Sequence, residues 1–352
     1  MTAERQARGE AVTADEATVV LALETSCDET AAALVMGGRD VLSSVVASQL
    51  EAHARYGGVV PEVASRAHLE ALIPVAQEAV ERAGVPLERV DAVAATTGPG
   101  LIGALLVGAS AAKGLAVALG RPFVAVNHLE AHLHAALLDD PSAPWPMIVL
   151  LVSGGHTLLV RVDAPGEYEV VGRTLDDAAG EAFDKVARYL GLGYPGGPAI
   201  DRVAAEGDAD AIAFPRAMLH DGLDVSFSGL KTAVVNHVRA HPDARTADVA
   251  ASFQAAVVDV LVAKARRAAR LHGARTVALG GGVAANSLLR ARLAEGCAED
   301  GLRAVLASRA MCTDNAAMIA AAAWHRLARR GPDGLDAPAF PSGRPGDPLG
   351  LP

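Results

Sequence analysis

Cysteine is scarce in this chain: Cys27, Cys297 and Cys312 are the only three in 352 residues, and they lie far apart. An odd, dispersed set excludes a disulfide framework and a CxxC zinc signature. Aromatic residues make up 3% of the chain, which excludes a stacking platform for bases and leaves an aliphatic core rich in Ala and Val. Basic charge is also short, with 31 Lys and Arg against 41 Asp and Glu and a net charge of −10. A generally basic nucleic-acid surface is therefore excluded, and any RNA contact needs a local patch or a partner protein. Clean apolar runs are missing too. The longest, Leu101 to Gly120, contains Ser110, Lys113 and several glycines, and reads as a buried helix rather than a membrane span. The opening MTAERQARGEAVTADEA carries both signs of charge and no apolar core of signal-peptide length, so a soluble cytoplasmic protein is expected.

The chain is longer than the ~250–300 residues one core usually holds, which points to two lobes. The stretch Val149 to Val160 organises the reading. Two apolar runs of strand composition flank Ser153-Gly154-Gly155-His156, the pattern of a tight hairpin. Glycines there expose backbone N–H groups to an anion, with Ser153 and His156 as further donors; an ordinary hairpin has the same pattern. Val19 to Leu34 repeats the plan, so a duplicated fold clasping one ligand is expected.

Taken in order, strands are expected at Val19–Leu23, Thr30–Met36 and Asp40–Ala47, and an amphipathic helix at Glu62–Ala83 after the Gly- and Pro-marked HARYGGVVP loop. A strand at Val90–Ala95 and the TTGPG turn lead into the apolar helix at Leu101–Leu119, a start that suits an anion or simple packing. After a strand at Phe123–Val126, helical spacing puts His128 and His132 on one face, where two imidazoles can share a metal; plain helix histidines space the same way. His134 points elsewhere, and H-x-E-x-H is not the HExxH peptidase order. PSAPWP at residues 141–146 reads as a lobe boundary. Asp176 to Lys185 is expected as a polar helix with acids at its N-terminus. The loop Gly191 to Asp201 can surround a sugar, or is loop punctuation alone. SFSGLKT opens another helix, and Ala247–Ala274 reads as one long helix. Its basic stretch KARRAARLHGAR is a solvated face or an RNA patch. Between a strand at Arg275–Leu279 and a helix, Gly280 to Asn286 form a purine-sized niche. After a strand at Val305–Ser308, Asp314 is an N-cap of the last helix or an oxygen ligand beside the two histidines. Only Lys113, Lys185, Lys231 and Lys264 break the preference for Arg, which hints at sites needing a compact ammonium.

In order from Glu24 to Ala320, the motifs ETSCDET, TTGPGLIGALLVG, HLEAH, VSGGHT, GEAFDK, GYPGGPAID, SFSGLKT, GGGVAANSLLR and CTDNAAMIA resemble the bacterial TsaD family, also called Gcp or YgjD. The resemblance implies an α/β, actin-like (ASKHA) fold: two lobes with duplicated mixed β-sheet cores and the ligand in the interlobe cleft. The division it implies is a disordered leader at 1–16, lobe I at 17–142 plus 309–330, lobe II at 143–308, and a disordered Pro/Gly-rich tail at 331–352. It further implies that His128, His132 and Asp314 hold one divalent metal ion per subunit, Fe2+ first and Zn2+ second. Leu151, Val152, Ser153, Gly154 and Gly155 would line the phosphate and acyl region of the substrate, and Asp184, Gly197, Asp201 and Asn286 would contact its nucleotide.

The implied activity is tRNA N6-adenosine threonylcarbamoyl transfer. Threonylcarbamoyl-AMP donates its acyl group to N6 of the adenosine just 3′ of the anticodon in tRNAs reading ANN codons, giving t6A and AMP. No dedicated protein nucleophile is implied; metal and Gly loop would do the work. The implied partners are tRNA, the related actin-like subunit TsaB and the ATPase TsaE, with no membrane. Two enzymatic rivals share features. A sugar or acetate kinase has the fold, yet Glu24-Thr25-Ser26-Cys27 stands where such kinases carry Asp and Gly. A metallopeptidase would use the His pair but lacks the HExxH order. A scaffold that merely binds adenine nucleotide would need no metal site. Asp28 and Glu29 fall near the inferred cleft without an assigned role.

Overall fold

An apolar strand ending on a polar turn opens each half of the molecule. The computed structural model describes residues 14–342. The first half contributes β1 (Val19–Glu24), β2 (Glu29–Met36), β3 (Asp40–Ser48), β4 (Ala92–Gly98) and β5 (Phe123–Asn127). The second contributes β6 (Met147–Val152), β7 (Thr157–Ala164), β8 (Glu167–Arg173), β9 (Thr276–Gly280) and β10 (Arg303–Leu306). Each set forms one mixed sheet, in the orders β3-β2-β1-β4-β5 and β8-β7-β6-β9-β10. In both, the first three strands pair antiparallel and the last two add in parallel. The two sheets thus share one topology, as the paired hairpins lead one to expect. All residues of β1, β4, β6 and β9 are buried, because helices cover both faces of each sheet.

Alternation along the strands divides the first lobe's core. Leu21, Leu23, Ala32 and Leu34 face α2 (Pro61–Ala83), which follows the short α1 (Leu50–Ala54), and α3 (Ile102–Leu119). Val20, Ala22, Ala31 and Ala33 face α4 (His128–Asp139) and the C-terminal helix Ala316–Arg330. The second lobe packs α5 (Ala179–Tyr189), α6 (Gly196–Ala204), α7 (Ser228–Ala240), α8 (Thr246–His272) and α9 (Ser287–Glu299) around its sheet. A one-turn helix, α10 (Arg309–Cys312), leads back to α11 (Ala316–Arg330). Helix α4 serves both cores: Ala131 and Ala135 join the first, while Leu129, Leu133 and Ala136 join the second. Its first turn therefore lies between the lobes. Helices α3 and α8 are long and apolar enough to cross a membrane by composition, yet α3 packs Ala104, Leu105, Ala109, Ala112 and Ala116 inward and α8 is mostly buried. The expected buried helix is buried on one face only, for α3 leaves Ile102, Leu106 and Val117 exposed.

Three expectations are corrected. Residues 331–342 are not a loose tail. Asp333 pairs with Phe123 on the free edge of β5 and accepts from the Ala125 N–H at 2.9 Å, Lys113 Nζ donates to Ala337 O at 2.6 Å, and the Phe340 N–H donates to Thr97 O at 2.9 Å. Pro and Gly preclude regular structure there, but an open sheet edge still binds the segment's remaining polar groups; residues 343–352 lie outside the described residues. At the other end residues 1–13 also lie outside them, whereas Asp15 is held, its carbonyl accepting from Trp324 Nε1 at 2.9 Å. Asp176 does not start α5. Its carboxylate caps α7, accepting from the Phe227 and Ser228 N–H groups at 2.8 and 3.2 Å and from the Ser226 and Ser228 hydroxyls at 2.6 Å each.

Candidate metal centre and nucleotide cleft

Asn127 fixes where α4 begins. Its side chain accepts from the Leu129 and Glu130 N–H groups at 2.8 and 3.1 Å, so His128 is the first helical residue and His132 stands one turn on. Asp314 reaches the same point from the far end of the chain. The N-cap of α11 is Asn315, accepting from the Met318 N–H at 3.0 Å, so Asp314 is not spent on capping. Its Oδ1 lies 3.1 Å from His132 Nε2 and 3.4 Å from His128 Nε2. One donor atom from each of the three residues falls within 4.8 Å of the others. His134 turns away, with its Nε2 2.8 Å from Tyr168 Oη and its ring stacked on His325.

Glu24, buried at the end of β1, closes the site from behind. Its carboxylate accepts from the Thr96 hydroxyl at 2.5 Å and from the Ser26 N–H, and lies 3.2 Å from His128 Nδ1. Burial opposes charge on His128, but Asp314 and Glu24 together hold its pKa well above the ordinary imidazole value. Burial would likewise raise the Asp314 carboxyl, and the two histidines outweigh it and hold it far below the usual range. With Nδ1–H given to Glu24, His128 turns Nε2 toward Asp314; in this ion pair Nε2 carries the second proton, and it is the nitrogen that would face a metal once that proton is given up. Two imidazole nitrogens and one carboxylate oxygen suit Zn2+ or Fe2+, so the residues fit the expected ion.

The second hairpin builds the neighbouring wall. The Ser153 N–H donates to His156 O at 2.8 Å and the His156 N–H to Ser153 Oγ at 3.1 Å, which closes the turn on itself. Gly154 and Gly155 are exposed, and their N–H groups make no hydrogen bond among the described residues. His156 sits close enough to feel the centre, its pKa pushed down to about 4 by burial and then by His128 and His132. Leu151 and Val152 have fully buried side chains, so only their backbone can meet a ligand. Gly281 lies against this strand at φ +86°, where an added Cβ would come 2.5 Å from Val152 O.

Further along the cleft, Asp184 Oδ1 accepts from the Gly196 N–H at 2.7 Å, and burial raises its pKa. No atom lies within 4 Å of the position a Gly197 Cβ would take. Asp201 ties α6 to α9, accepting from Ser287 Oγ at 2.7 Å and its N–H at 3.1 Å. Asn286 caps α9 by accepting from the Leu289 N–H and donates to Gln254 Oε1, both at 2.9 Å. The structure thus gathers the three metal-ligand candidates directly, and arrays the nucleotide candidates on the second lobe. Sequence reasoning missed Glu24, Ser26 and Thr96 as a supporting set; an acidic residue closing an otherwise apolar strand was the available signal. The basic stretch of α8 is largely consumed internally: Arg266 and Arg270 pair with Asp300, Arg267 donates to His220 O, and Lys264 to Asp221 O and Gly222 O. Lys185 bridges Asp177 and Glu181 at 2.8 and 2.9 Å.

A family model described as TsaD, tRNA N6-adenosine threonylcarbamoyltransferase, matches residues 40–321. A protein of that name from Geobacter sp. (strain M21) is 56% identical over 327 residues, 92% of this chain and 95% of the relative. Another from Symbiobacterium thermophilum is 54% identical, covering 87% of this chain and 91% of the relative. Among solved structures, full-length HypF in a phosphate- and nucleotide-bound form aligns with TM-score 0.62 at 13% identity, over 94% of this chain and 48% of that one. Component A of (R)-2-hydroxyglutaryl-CoA dehydratase from Acidaminococcus fermentans aligns with TM-score 0.54 at 15% identity, over 89% of this chain and 99% of that one. These two likenesses concern the fold alone, and the fold is the two-lobed actin-like ASKHA fold.

Proposed function

The chain belongs to the TsaD family of tRNA N6-adenosine threonylcarbamoyltransferases, and on that footing we propose how its own residues carry out the transfer. The donor is threonylcarbamoyl-AMP and the acceptor N6 of the adenosine just 3′ of the anticodon in tRNAs reading ANN codons; t6A and AMP leave. The observation that supports this most is the convergence of His128, His132 and Asp314 within 4.8 Å, next to a turn whose Gly154 and Gly155 N–H groups make no hydrogen bond among the described residues.

His128, His132 and Asp314 would hold one divalent ion, iron or zinc. When bound, such an ion supplies Lewis-acid polarisation of an acyl oxygen. Glu24 keeps the His128 Nδ1 proton in place, which orients the ring. The Ser153–Gly155 turn offers backbone N–H groups to the phosphate and stabilises its charge as AMP departs. Asp184, Gly197, Asp201 and Asn286 would flank the nucleoside, with Leu151 and Val152 contributing backbone only. Since an exocyclic amine is a weak nucleophile, the transfer rests on a polarised acyl group, and the adenosine must be splayed from its stack to reach the cleft.

An acidic chain with its α8 arginines engaged needs help to hold tRNA. Helices α2 and α3 leave Leu69, Ile73, Ile102 and Leu106 exposed, which supports a docked protein partner; TsaB is the proposed subunit and TsaE the ATPase of the system, in the cytoplasm. The test is transfer of labelled threonylcarbamoyl from its adenylate to an unmodified ANN-decoding tRNA, with metal-loaded chain, TsaB and TsaE. Label in N6-modified adenosine supports the reading. No transfer, with ATP-dependent phosphorylation of a small acceptor instead, would replace it with a kinase.

A further inference from the structure

The segment His53 to His68, HARYGGVVPEVASRAH, has no part in the site described above, yet it holds a buried polar chain. Gln49, His53, His68 and Thr30 are at most 7% exposed. The Val60 N–H lies 3.3 Å from His53 Nδ1, His53 Nε2 lies 3.3 Å from Gln49 Oε1, Gln49 Nε2 lies 3.1 Å from His68 Nδ1, and His68 Nε2 lies 3.0 Å from Cys27 O. The ends dictate every role. A backbone N–H only donates and a carbonyl only accepts, so His53 accepts at Nδ1 and donates from Nε2. Gln49 then accepts at Oε1 and donates from Nε2, and His68 accepts at Nδ1 and donates from Nε2. These roles put both rings in the Nε2–H tautomer, and burial, which lowers the His68 pKa, favours the neutral form of His68. Thr30 Oγ1, 2.8 Å from His68 Nδ1, donates to the same nitrogen.

Each end of this chain touches something functional. At one end, Arg188 on α5 of the second lobe donates to Gly57 O at 2.5 Å across the cleft. That loop, residues 55–60, hangs on His53. At the other end, the Cys27–Asp28 turn is fastened by His68 and by the Gln49 N–H, which donates to Asp28 O at 2.9 Å. Ser26 and Glu24, which flank His128 Nδ1 at 3.2 Å each, precede that turn directly.

We propose that Gln49 and His68 are positioning residues: through them the seating of Arg188 on Gly57, as the lobes close on the adenylate, sets the Cys27–Asp28 turn beside the metal ligands. This rests on the transfer reading above, and its first test does not use activity. Hydrogen exchange read by mass spectrometry on the full chain compares wild type, Arg188→Ala, Gln49→Leu and the double variant. Arg188→Ala is expected to speed exchange in residues 55–60 and, by about threefold or more, in residues 26–30. In the Gln49→Leu background the same substitution is expected to act on residues 55–60 alone. No change at 26–30 in Arg188→Ala, or an equal change in both backgrounds, overturns the proposal. Arg188 is on the surface, so its variant folds even where a core variant fails.

Kinetics then asks whether the coupling serves the reaction. Each single variant is expected to lower kcat about tenfold with KM for the adenylate within about twofold, and the double variant no further than the worse single. Multiplying losses overturn the positioning role. His68→Gln, which keeps a donor for Cys27 O, is expected to retain more kcat than His68→Phe, which fills the space without one; equal losses count against it. A wild type without transfer would sink the transferase reading, while hydrogen exchange would still decide the coupling.

Discussion

Glu24 Oε2 lies 3.2 Å from Nδ1 of His128, with the glutamate wholly buried at the end of a strand and the histidine at the start of a helix 104 residues later. The carboxylate fixes the ring by holding its far proton. Removing it frees the tautomer and leaves the Thr96 hydroxyl without its acceptor. Glu24→Ala should therefore weaken metal binding by about 10- to 100-fold, measured by chelator competition on the full chain, with the thermal midpoint in excess chelator as the control for folding.

Two glycines in the cleft should behave in opposite ways. Gly281 combines a left-handed φ of +86° with backbone 2.5 Å from the position of an added Cβ, so Gly281→Ala should cost about 1–3 kcal/mol of stability by chemical denaturation. Gly154 has open space around it. Gly154→Ala should stay within about 0.5 kcal/mol of wild type in stability, yet lower affinity for the adenylate by crowding the exposed N–H groups.

Acid should destabilise the fold through His325. This ring stacks on His134 at 4.7 Å and meets Trp324 edge-on at 4.9 Å, and its pKa is pushed down to about 4 by burial and then by Arg329. An unfolded histidine titrates near ~6.5. Between these values the unfolded chain binds a proton that the folded chain refuses, so stability rises with pH through the window and is lost as pH falls from about 6.5 toward 4. The loss attributable to this group is on the order of 3 kcal/mol at most. Thermal midpoints at pH 7.5, 6, 5 and 4.5 (chosen conditions, roughly spanning that window) should decline in wild type and decline less in His325→Phe. An equal decline would contradict the assignment.

What was legible from sequence follows from range. The His128–His132 pair could be read because helical periodicity is local, and the paired hairpins because each lies within a single short stretch. Asp314, 182 residues from His132, was ambiguous by pattern, and only the family resemblance placed it at the metal. Glu24 closes an apolar strand, and its partners Thr96 and His128 arrive from other elements. Asp176 looked like the start of its own helix, because its real partner, the first turn of α7, is brought in by the tertiary fold. The C-terminal Pro/Gly stretch was misjudged for a related reason: composition reports a lack of regular hydrogen bonding, but the β5 edge that receives Asp333 is visible only in the folded sheet.

That edge contact is itself testable. Asp333→Ala would leave the buried Ala125 N–H, now 2.9 Å from Asp333 Oδ2, without an acceptor, at a cost of about 1–2 kcal/mol. Asp333→Asn keeps a carbonyl oxygen in place and should recover most of it in the same denaturation experiment.

The most direct measurement takes His132→Ala through metal content and transfer together. His132 Nε2 sits 3.1 Å from Asp314 and the ring is buried between the lobes. The variant should fold, bind less than about a tenth of the wild-type metal at equal free concentration, and lose threonylcarbamoyl transfer to tRNA in parallel. A folded, metal-depleted His132→Ala protein that still transfers at the wild-type rate would contradict the role assigned here to the His128–His132–Asp314 centre.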